Sequence, residues 1–185
     1  MERKSLQYYW IEEILGGSDK KFCWLRLWRR VRRSRSANFL FWFRLADHLV
    51  RTDSRFLKSV AKGINKRLIQ KHGIEIMLGA DIAEGLRLSH MQGIVIFKTV
   101  KIGRNFTVRQ NTTIGSDFKS ELPMIIGSNV DVGANSCIIG NGVVIGDDVT
   151  IGAMSFVNKS VPSGCVYLTE KKARVVMKSP ASSKS

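Results

Sequence analysis

One apolar residue recurs every six positions between Ile126 and Val161, and this is the strongest pattern in the chain. The leading residues are Ile126, Val132, Ile138, Ile145, Ile151 and Val157, with one extra residue, Val144, before the fourth unit. An amphipathic helix needs apolar residues three and four apart, and a half-buried strand needs alternation. A period of six fits neither, and it predicts a β-solenoid in which each coil buries its inner residues against the next.

The same period begins upstream, after a region of different character. Its apolar positions are Ile76, Ile82, Leu88 and Ile94, then, after a slip of phase, Ile102, Val108 and Ile114. The segment GSDFKSELPM that follows breaks the pattern and predicts a protruding loop. We interpret Val144 as a local bulge. From Ser163 the period is lost, so the sequence predicts a solenoid over residues 74–163 and a tail over residues 164–185.

Residues 1–73 have helical spacing and are expected to form a small α-helical N-terminal region. Gly16 and Gly17 end a first helix, Phe22 to Arg33 form a second, and Ser34 or Ser36 caps a third. A fourth runs from Ser54 to Lys71 and stops at Gly73. The predicted apolar faces are Trp24, Leu27, Trp28 and Val31 in the second helix, and Phe56, Leu57, Val60, Ile64 and Leu68 in the fourth.

The positive charge is concentrated in this helical region. The 185 residues carry a net charge of +15; residues 1–75 hold 18 basic against 7 acidic side chains, or +11. Such an excess predicts an anionic partner, and the absence of a nucleic-acid-binding motif makes DNA or RNA a poor candidate. No apolar run is long enough for a transmembrane helix, and the first residues do not read as a signal peptide. Three widely spaced cysteines fit a reducing cytoplasm.

His90 is the first candidate for chemistry, because few ionisable residues interrupt the period-six region. It follows Leu88 by two positions, so we expect it near a corner of the solenoid. A histidine there is suited to take a proton from an acceptor hydroxyl. An exposed turn histidine without a catalytic role satisfies the same pattern, and the residues alone leave both interpretations open.

Glu75 is the second candidate, as a carboxylate that orients the imidazole. It precedes His90 by 15 residues, close to one coil of three hexapeptides, so the two side chains could lie on neighbouring coils. Asp81 and Glu84 compete for this role. The sequence shows no metal-binding spacing, no P-loop and no GxSxG nucleophile motif.

The units with the pattern Ile/Val-Gly-x-x-Val/Ser-x resemble the hexapeptide-repeat acyltransferases, which fold as left-handed parallel β-helices. The segment GIEIMLGADIAEGLRLSHMQGIVI is similar to the active-site segment of serine acetyltransferases. The short chain and its helical N-terminus resemble the colanic-acid type of exopolysaccharide O-acetyltransferase more closely. The resemblance matches His90 to the catalytic histidine and Glu75 to the acidic member of its dyad.

The resemblance also implies acetyl-CoA as co-substrate, no metal, and a homotrimer, or a dimer of trimers, with sites between subunits. Gly115 and Ser116 would supply oxyanion-stabilising N–H groups, and Ala134 and Ala153 would line the pantetheine arm. The candidate partners of the nucleotide end are Lys159, Lys171, Lys172 and Arg174. Serine acetyltransferases carry an HPKI-type segment with a second histidine, whereas this chain has ELPMI, with Leu122 at that position.

This departure points to a different acceptor. The expected function is a cytoplasmic O-acetyltransferase acting on a sugar hydroxyl of a surface polysaccharide or its lipid-linked precursor. Serine O-acetylation is the alternative within the family. An alternative of another class is a binding module whose basic, aromatic helices dock on the anionic inner face of the cell membrane. In the competing interpretation, Trp24, Trp28, Phe39 and Phe43 only pack between helices and onto the solenoid.

Overall fold

A computed structural model of the chain describes residues 4–17, 19–116, 122–170 and 172. Helix α1 (Leu6–Trp10) continues into a π-helical turn (Ile11–Leu15), and three further helices follow. These are α2 (Trp24–Arg33), α3 (Arg35–Val50) and α4 (Arg55–His72). Among the described helices, none combines the length and the apolar character needed to span a membrane.

The helix boundaries follow from local capping, as the sequence predicts. The Ser34 hydroxyl accepts a hydrogen bond from the Ala37 N–H at 3.2 Å, so Ser34 rather than Ser36 caps α3. Ser54 caps α4 in the same way. Gly16 and Gly73 end their helices with φ of 101° and 65°, left-handed values that glycine adopts without strain.

The helical core differs from the predicted apolar faces. Phe39 and Phe43 are buried and stack with ring centroids 5.8 Å apart, as the packing interpretation requires. On α2 only Leu27 and Val31 are buried, whereas Trp24 and Trp28 remain 55% and 42% exposed. The fourth helix was also predicted wrongly in part: Phe56 and Val60 are exposed, and its buried residues are Ala61, Leu68 and His72. The helix bundle covers only part of each predicted face.

In the described part of the chain, fourteen short strands follow the helices and stack into three parallel sheets. Sheet A contains β1 (Ile74–Ile76), β4 (Ile94–Ile96), β7 (Thr113–Gly115), β10 (Cys137–Ile139) and β13 (Phe156–Val157). Sheet B contains β2 (Asp81–Ile82), β5 (Val100–Ile102), β8 (Met124–Ile126) and β11 (Val144–Ile145). Sheet C contains β3 (Arg87–Leu88), β6 (Thr107–Val108), β9 (Asp131–Val132), β12 (Thr150–Ile151) and β14 (Val166–Tyr167).

The chain visits sheets A, B and C in turn, and each of the first four coils contributes one strand to each sheet. The fifth coil contributes β13 and β14 and, in sheet B, only the bridge residue Val161, which pairs with Ile145. The apolar residue of each hexapeptide points inward, and the leading residues of the repeat are buried. The predicted fold class, a parallel β-helix of hexapeptide repeats after an α-helical N-terminal region, is confirmed. Strand β14 pairs with β12 and lies in the segment assigned to the C-terminal tail.

Two details of the predicted register are wrong. Ile76 pairs with Ile96 rather than with Ile94, so the phase slips before β4 and not after it. Val144 is not a bulge, because it is a regular residue of β11 that pairs with Ile125. The extra residue of that unit is absorbed in the turn between β10 and β11, where Gly140 and Gly142 have positive φ. Additional residues are therefore accommodated in corners of variable length, and the strands keep their register.

A buried ion pair fastens the helices to the first coil. The Arg44 guanidinium donates to the Glu13 carboxylate at 2.9 and 2.5 Å and to the carbonyl oxygens of Ile82 and Ala83 at 2.8 and 2.7 Å. Glu13 also accepts the Leu86 N–H at 3.1 Å. Burial acts to lower the pKa of Arg44, but the Glu13 carboxylate outweighs it and raises that pKa. This cluster, here called the Glu13–Arg44 clamp, attaches the helical region to the first coil, at the N-terminal end of the solenoid.

Candidate active site

His90 lies in the corner between β3 and β4, where the chain is longer than in the next coil. Leu88 pairs with Val108, and Ile96 pairs with Ile114. The first coil therefore uses eight residue steps between these paired positions, whereas the second coil uses six. The two additional residues let Met91 turn into the core, where it is 5% exposed. His90 is exposed, in the left-handed backbone region at φ 52°. The expanded corner therefore presents the imidazole to solvent.

The corners that join sheet C to sheet A form a column, here called the His90 edge (residues 89–93, 109–112, 133–136 and 152–155). Asn111 and Asn135 have φ of 54° and 57°, a conformation that asparagine tolerates better than most residues. The Asn111 side-chain amide donates to the Asn135 side-chain oxygen at 3.1 Å. These stacked asparagines make the edge next to His90 a regular, hydrogen-bonded surface.

Glu75 lies at the centre of β1, half-buried, and pairs with Val95. The register is 20 residues per coil here, so the spacing of 15 does not place Glu75 one full coil from His90. The Gly93 N–H instead donates to the Gly73 carbonyl at 2.8 Å, which joins the end of the His90 corner to the chain just before Glu75. Among the described residues no hydrogen bond or ion pair links the carboxylate to the imidazole, and their pairing stays a prediction.

The competing carboxylates lie elsewhere on the first coil. Asp81 begins β2 in sheet B, and Glu84 lies in the corner between β2 and β3. Because each side of the solenoid faces a different direction, these two residues occupy other sides than β1. Of the three candidates, the topology places only Glu75 on the strand next to the one that follows His90.

Gly115 and Ser116 lie at the far end of the sheet A strand β7. A Cβ atom on Gly115 would lie 2.8 Å from the Phe97 ring, so the backbone passes this ring more closely than any other residue type permits. The Ser116 hydroxyl makes a hydrogen bond to the Asn141 side-chain oxygen at 2.5 Å. One strand of sheet A separates these groups from the His90 edge within a single chain.

Ala134 and Ala153 stack on the His90 edge, two and three coils beyond His90. The Met154 N–H donates to the Ala134 carbonyl at 2.7 Å, and a Cβ atom on Gly133 would collide with the backbone of Ala153. Lys159 is exposed on the opposite side of sheet A, and Lys172 is exposed near the end of the described chain. Lys171 and Arg174 lie outside the described residues. The structure thus brings His90, Ala134 and Ala153 to one edge and leaves Gly115, Ser116 and Lys159 away from it.

Sequence reasoning missed two residues in the coil next to His90. Gln110 has its side-chain oxygen buried without a hydrogen-bond partner among the described residues. Arg109 forms a two-pronged ion pair with Asp131, which raises the pKa of Arg109. An alignment of the two coils at the paired residues Leu88 and Val108 places Ser89 beside Arg109, with Gln110 next in the chain. This alignment would have pointed to Arg109 and Gln110 from the sequence. The Gln110 side-chain oxygen is thus a buried hydrogen-bond acceptor next to the His90 corner, and it is closed to solvent.

No set of three or more metal-ligating side chains comes together in the described part of the chain. Cys23, Cys137 and Cys165 are free thiols, and burial raises the pKa of Cys137. The site is accordingly an exposed histidine on a rigid edge, with a carboxylate on the adjoining strand and close-packed small residues along the coils.

Curated proteins of similar sequence are acetyltransferases. The chain is 38% identical over 124 residues to the serine acetyltransferase of Staphylococcus epidermidis, covering 66% of this chain and 57% of that protein. It is 41% identical over 104 residues to the putative colanic acid biosynthesis acetyltransferase WcaB of Escherichia coli K12, covering 56% and 63%. No protein-family model matches the chain. It spans less than two thirds of the length of these relatives.

Solved structures agree with this result. Serine acetyltransferase isoform 3 of Entamoeba histolytica, in complex with cysteine, matches with a TM-score of 0.71 at 22% identity, over 94% of this chain and 60% of that one. The coenzyme A complex of Brucella abortus serine acetyltransferase matches with a TM-score of 0.64 at 27% identity, over 72% and 53%.

The fold, a parallel β-helix of hexapeptide repeats, is similar to that of serine acetyltransferases of known structure. In sequence the chain is serine acetyltransferase-like, with a second likeness to the colanic acid acetyltransferase. The resemblance predicted from the repeat and from the segment around His90 is confirmed.

Proposed function

We propose that the chain transfers acetyl from acetyl-CoA to a sugar hydroxyl of a bacterial surface polysaccharide or of its lipid-linked precursor. The observation that carries this proposal is the expanded corner that exposes His90 on the edge it shares with Ala134 and Ala153. Glu75 lies on the adjoining strand, and the relatives of known class are acetyltransferases.

In the proposed reaction His90 acts as general base. The imidazole takes the proton of the acceptor hydroxyl while the oxygen attacks the thioester carbonyl carbon. The tetrahedral oxyanion is stabilised by backbone N–H groups near Gly115 and Ser116. Its collapse breaks the carbon–sulfur bond, and the imidazolium returns the proton to the departing CoA thiolate. Glu75 is a positioning residue that favours the imidazolium and fixes the ring tautomer.

Acetyl-CoA would lie along the solenoid, with pantetheine against Ala134 and Ala153. Lys159, Lys171, Lys172 and Arg174 would contact the anionic nucleotide end. Because one strand of sheet A separates Gly115 and Ser116 from the His90 edge, a complete site would combine edges from two copies. This arrangement supports a homotrimer, which could pair into a dimer of trimers. Exposed apolar side chains on and near the edge, Met154 (58%) and Phe156 (53%), are suited to a subunit contact.

The acceptor is proposed from Leu122, which is 62% exposed where serine acetyltransferases carry a histidine in the resembling segment. An apolar side chain cannot donate to a substrate carboxylate, whereas the similarity to WcaB favours a glycan. Serine O-acetylation is the second candidate, since serine acetyltransferases dominate the relatives. A cytoplasmic enzyme at the inner face of the membrane would meet lipid-linked sugar acceptors there.

The test is release of free CoA thiol by the full chain, with L-serine, nucleotide sugars and lipid-linked oligosaccharides offered separately. Turnover with a saccharide and none with serine is the expected result. Turnover with serine alone would replace the glycan proposal by the serine alternative. Mass spectrometry of the product then locates the acetyl group, and an acetyl-sized difference between the surface glycans of cells with and without the protein would identify the acceptor.

A further inference from the structure

Helix α2 carries two stripes, each repeating at positions i, i+3, i+4 and i+7. One stripe is apolar and consists of Trp24, Leu27, Trp28 and Val31. The other is cationic and consists of Arg26, Arg29, Arg30 and Arg33, all exposed. Residues at this spacing share one face of a helix. The four guanidinium groups are therefore neighbours along about two turns, an arrangement that is unfavourable without an anion to offset their repulsion.

These arginines line a cleft of about 730 Å³ between α2, the π-helical turn and the start of α3. The Arg30 guanidinium donates to the Ile14 carbonyl, which fixes that side chain against the protein. Within the described part of the chain, Arg26, Arg29 and Arg33 have no carboxylate partner. Ser34 and Ser36 also line the cleft and add hydroxyl donors. The cleft is open, rich in hydrogen-bond donors and positively charged.

Large apolar side chains are exposed on the same helix. Leu25 lines the cleft and is 71% exposed, and Trp24 and Trp28 on α2 are 55% and 42% exposed. Both tryptophan rings pack against other aromatic rings of the helical region. Trp24 lies edge-on to Trp10 with ring centroids 6.0 Å apart, and Trp28 is tilted against Phe41 with ring centroids 5.2 Å apart. Tryptophan beside arginine is the composition of surfaces that rest in the headgroup region of a bilayer.

We propose that the α2 surface, defined as Trp24, Leu25, Trp28 and the arginine stripe, docks the chain on a membrane containing anionic phospholipid. Arginine forks bind phosphate oxygens, and each basic side chain near an anionic surface strengthens binding about fivefold. Leu25 and the two tryptophans enter the interface between headgroups and acyl chains. This inference does not depend on the proposed acetyl transfer, because docking needs neither acetyl-CoA nor an acceptor.

The test is co-sedimentation of the full chain with vesicles of phosphatidylcholine, with and without phosphatidylglycerol, at low and high salt. The variant R26Q/R29Q/R33Q should lose binding to the anionic vesicles roughly a hundredfold. The matched control, K62Q/K66Q/R67Q, removes the same charge from exposed positions on α4 and should lose less than about threefold. Leu25→Gln should weaken binding roughly tenfold and abolish any blue shift of tryptophan emission. Circular dichroism checks that each variant is folded.

Three results would overturn the proposal. The first is equal loss of binding in the stripe and control variants, which would mean that net charge alone attracts the chain. The second is displacement from vesicles by inorganic pyrophosphate at a concentration too low to screen charge, which would mean a soluble phosphate site. The third is retention of vesicle binding together with loss of oligonucleotide binding in the stripe variant, which would assign the cleft to nucleic acid.

Discussion

Replacing Glu13 by Gln would leave the Arg44 guanidinium charged and buried where the helices meet the first coil. Both side chains of the Glu13–Arg44 clamp are almost inaccessible, at 3% exposure for Arg44 and 0% for Glu13. The neutral amide cannot receive both guanidinium N–H groups as a carboxylate does, and the Leu86 N–H that Glu13 also accepts is weakened. An uncompensated buried charge is the main consequence of this substitution.

The expected cost is about 3–5 kcal/mol of unfolding free energy, the range for breaking one partner of a buried ion pair. Arg44→Met should cost a similar amount, because it strands the Glu13 charge and two carbonyl groups of the first coil. The double variant E13L/R44M should cost less than the sum of the single changes, since neither charge then remains buried. Arg51→Gln is the control: its partner is Asp47, its side chain is 34% exposed, and about 1 kcal/mol is expected.

Urea unfolding measures these effects with two probes. All four tryptophans lie in residues 1–73, so fluorescence reports on the helical region while circular dichroism reports on the whole chain. In Glu13→Gln the fluorescence transition should move to lower urea and separate from the other. A loss below about 1 kcal/mol, or a loss equal to that of Arg51→Gln, would refute the assignment of the clamp as the main attachment of the helices.

Three further outcomes follow from single positions. Burial and two nearby cationic side chains lower the pKa of His72 below its ordinary value of 6.5. The contribution of neutral His72 to the free energy of unfolding should therefore be complete above pH 6.5 and should decrease as the pH falls below it. The His72→Gln variant should show a weaker dependence of the urea midpoint on pH. Gly115→Ala should cost about 1–3 kcal/mol, because the added Cβ meets the Phe97 ring, and thermal melting would show it. Gly63→Ala should raise stability by about 0.5–1 kcal/mol, because the added Cβ on α4 meets no atom within 4 Å; a lower melting temperature would contradict this open packing.

The parts of the fold predicted from sequence are those that depend on local pattern. The period of six identified the solenoid, because the inward residue of every strand must be apolar. Ser54 and Gly73 marked the fourth helix, since capping needs only a few neighbouring residues. The exposure of Trp24 and Trp28 was not accessible in this way, because helical spacing does not say how much of an apolar stripe the neighbouring helices cover.

The candidate site was predicted residue by residue, but its geometry was not. Coil length varies from 16 residues between β12 and β14 to 24 between β7 and β10, and these differences arise in corners without a fixed pattern. A count of three hexapeptides therefore gave the wrong spacing for Glu75 and His90. The corner at His90 contains two additional residues, and they allow Met91 to be buried. In a sequence searched for a period of six, these two residues are seen only as a slip of phase.

The role of His90 as general base is tested most directly by the turnover of the His90→Ala variant with acetyl-CoA and the acceptor identified by the thiol-release assay. A loss of at least about a hundredfold in kcat with little change in the KM for acetyl-CoA is expected, because the general base is lost while the binding edge stays intact. Glu75→Gln should cost less than His90→Ala, since the proposed role of the carboxylate is only to position the imidazole ring. Near-wild-type kcat in a folded His90→Ala variant would show that His90 is not the general base.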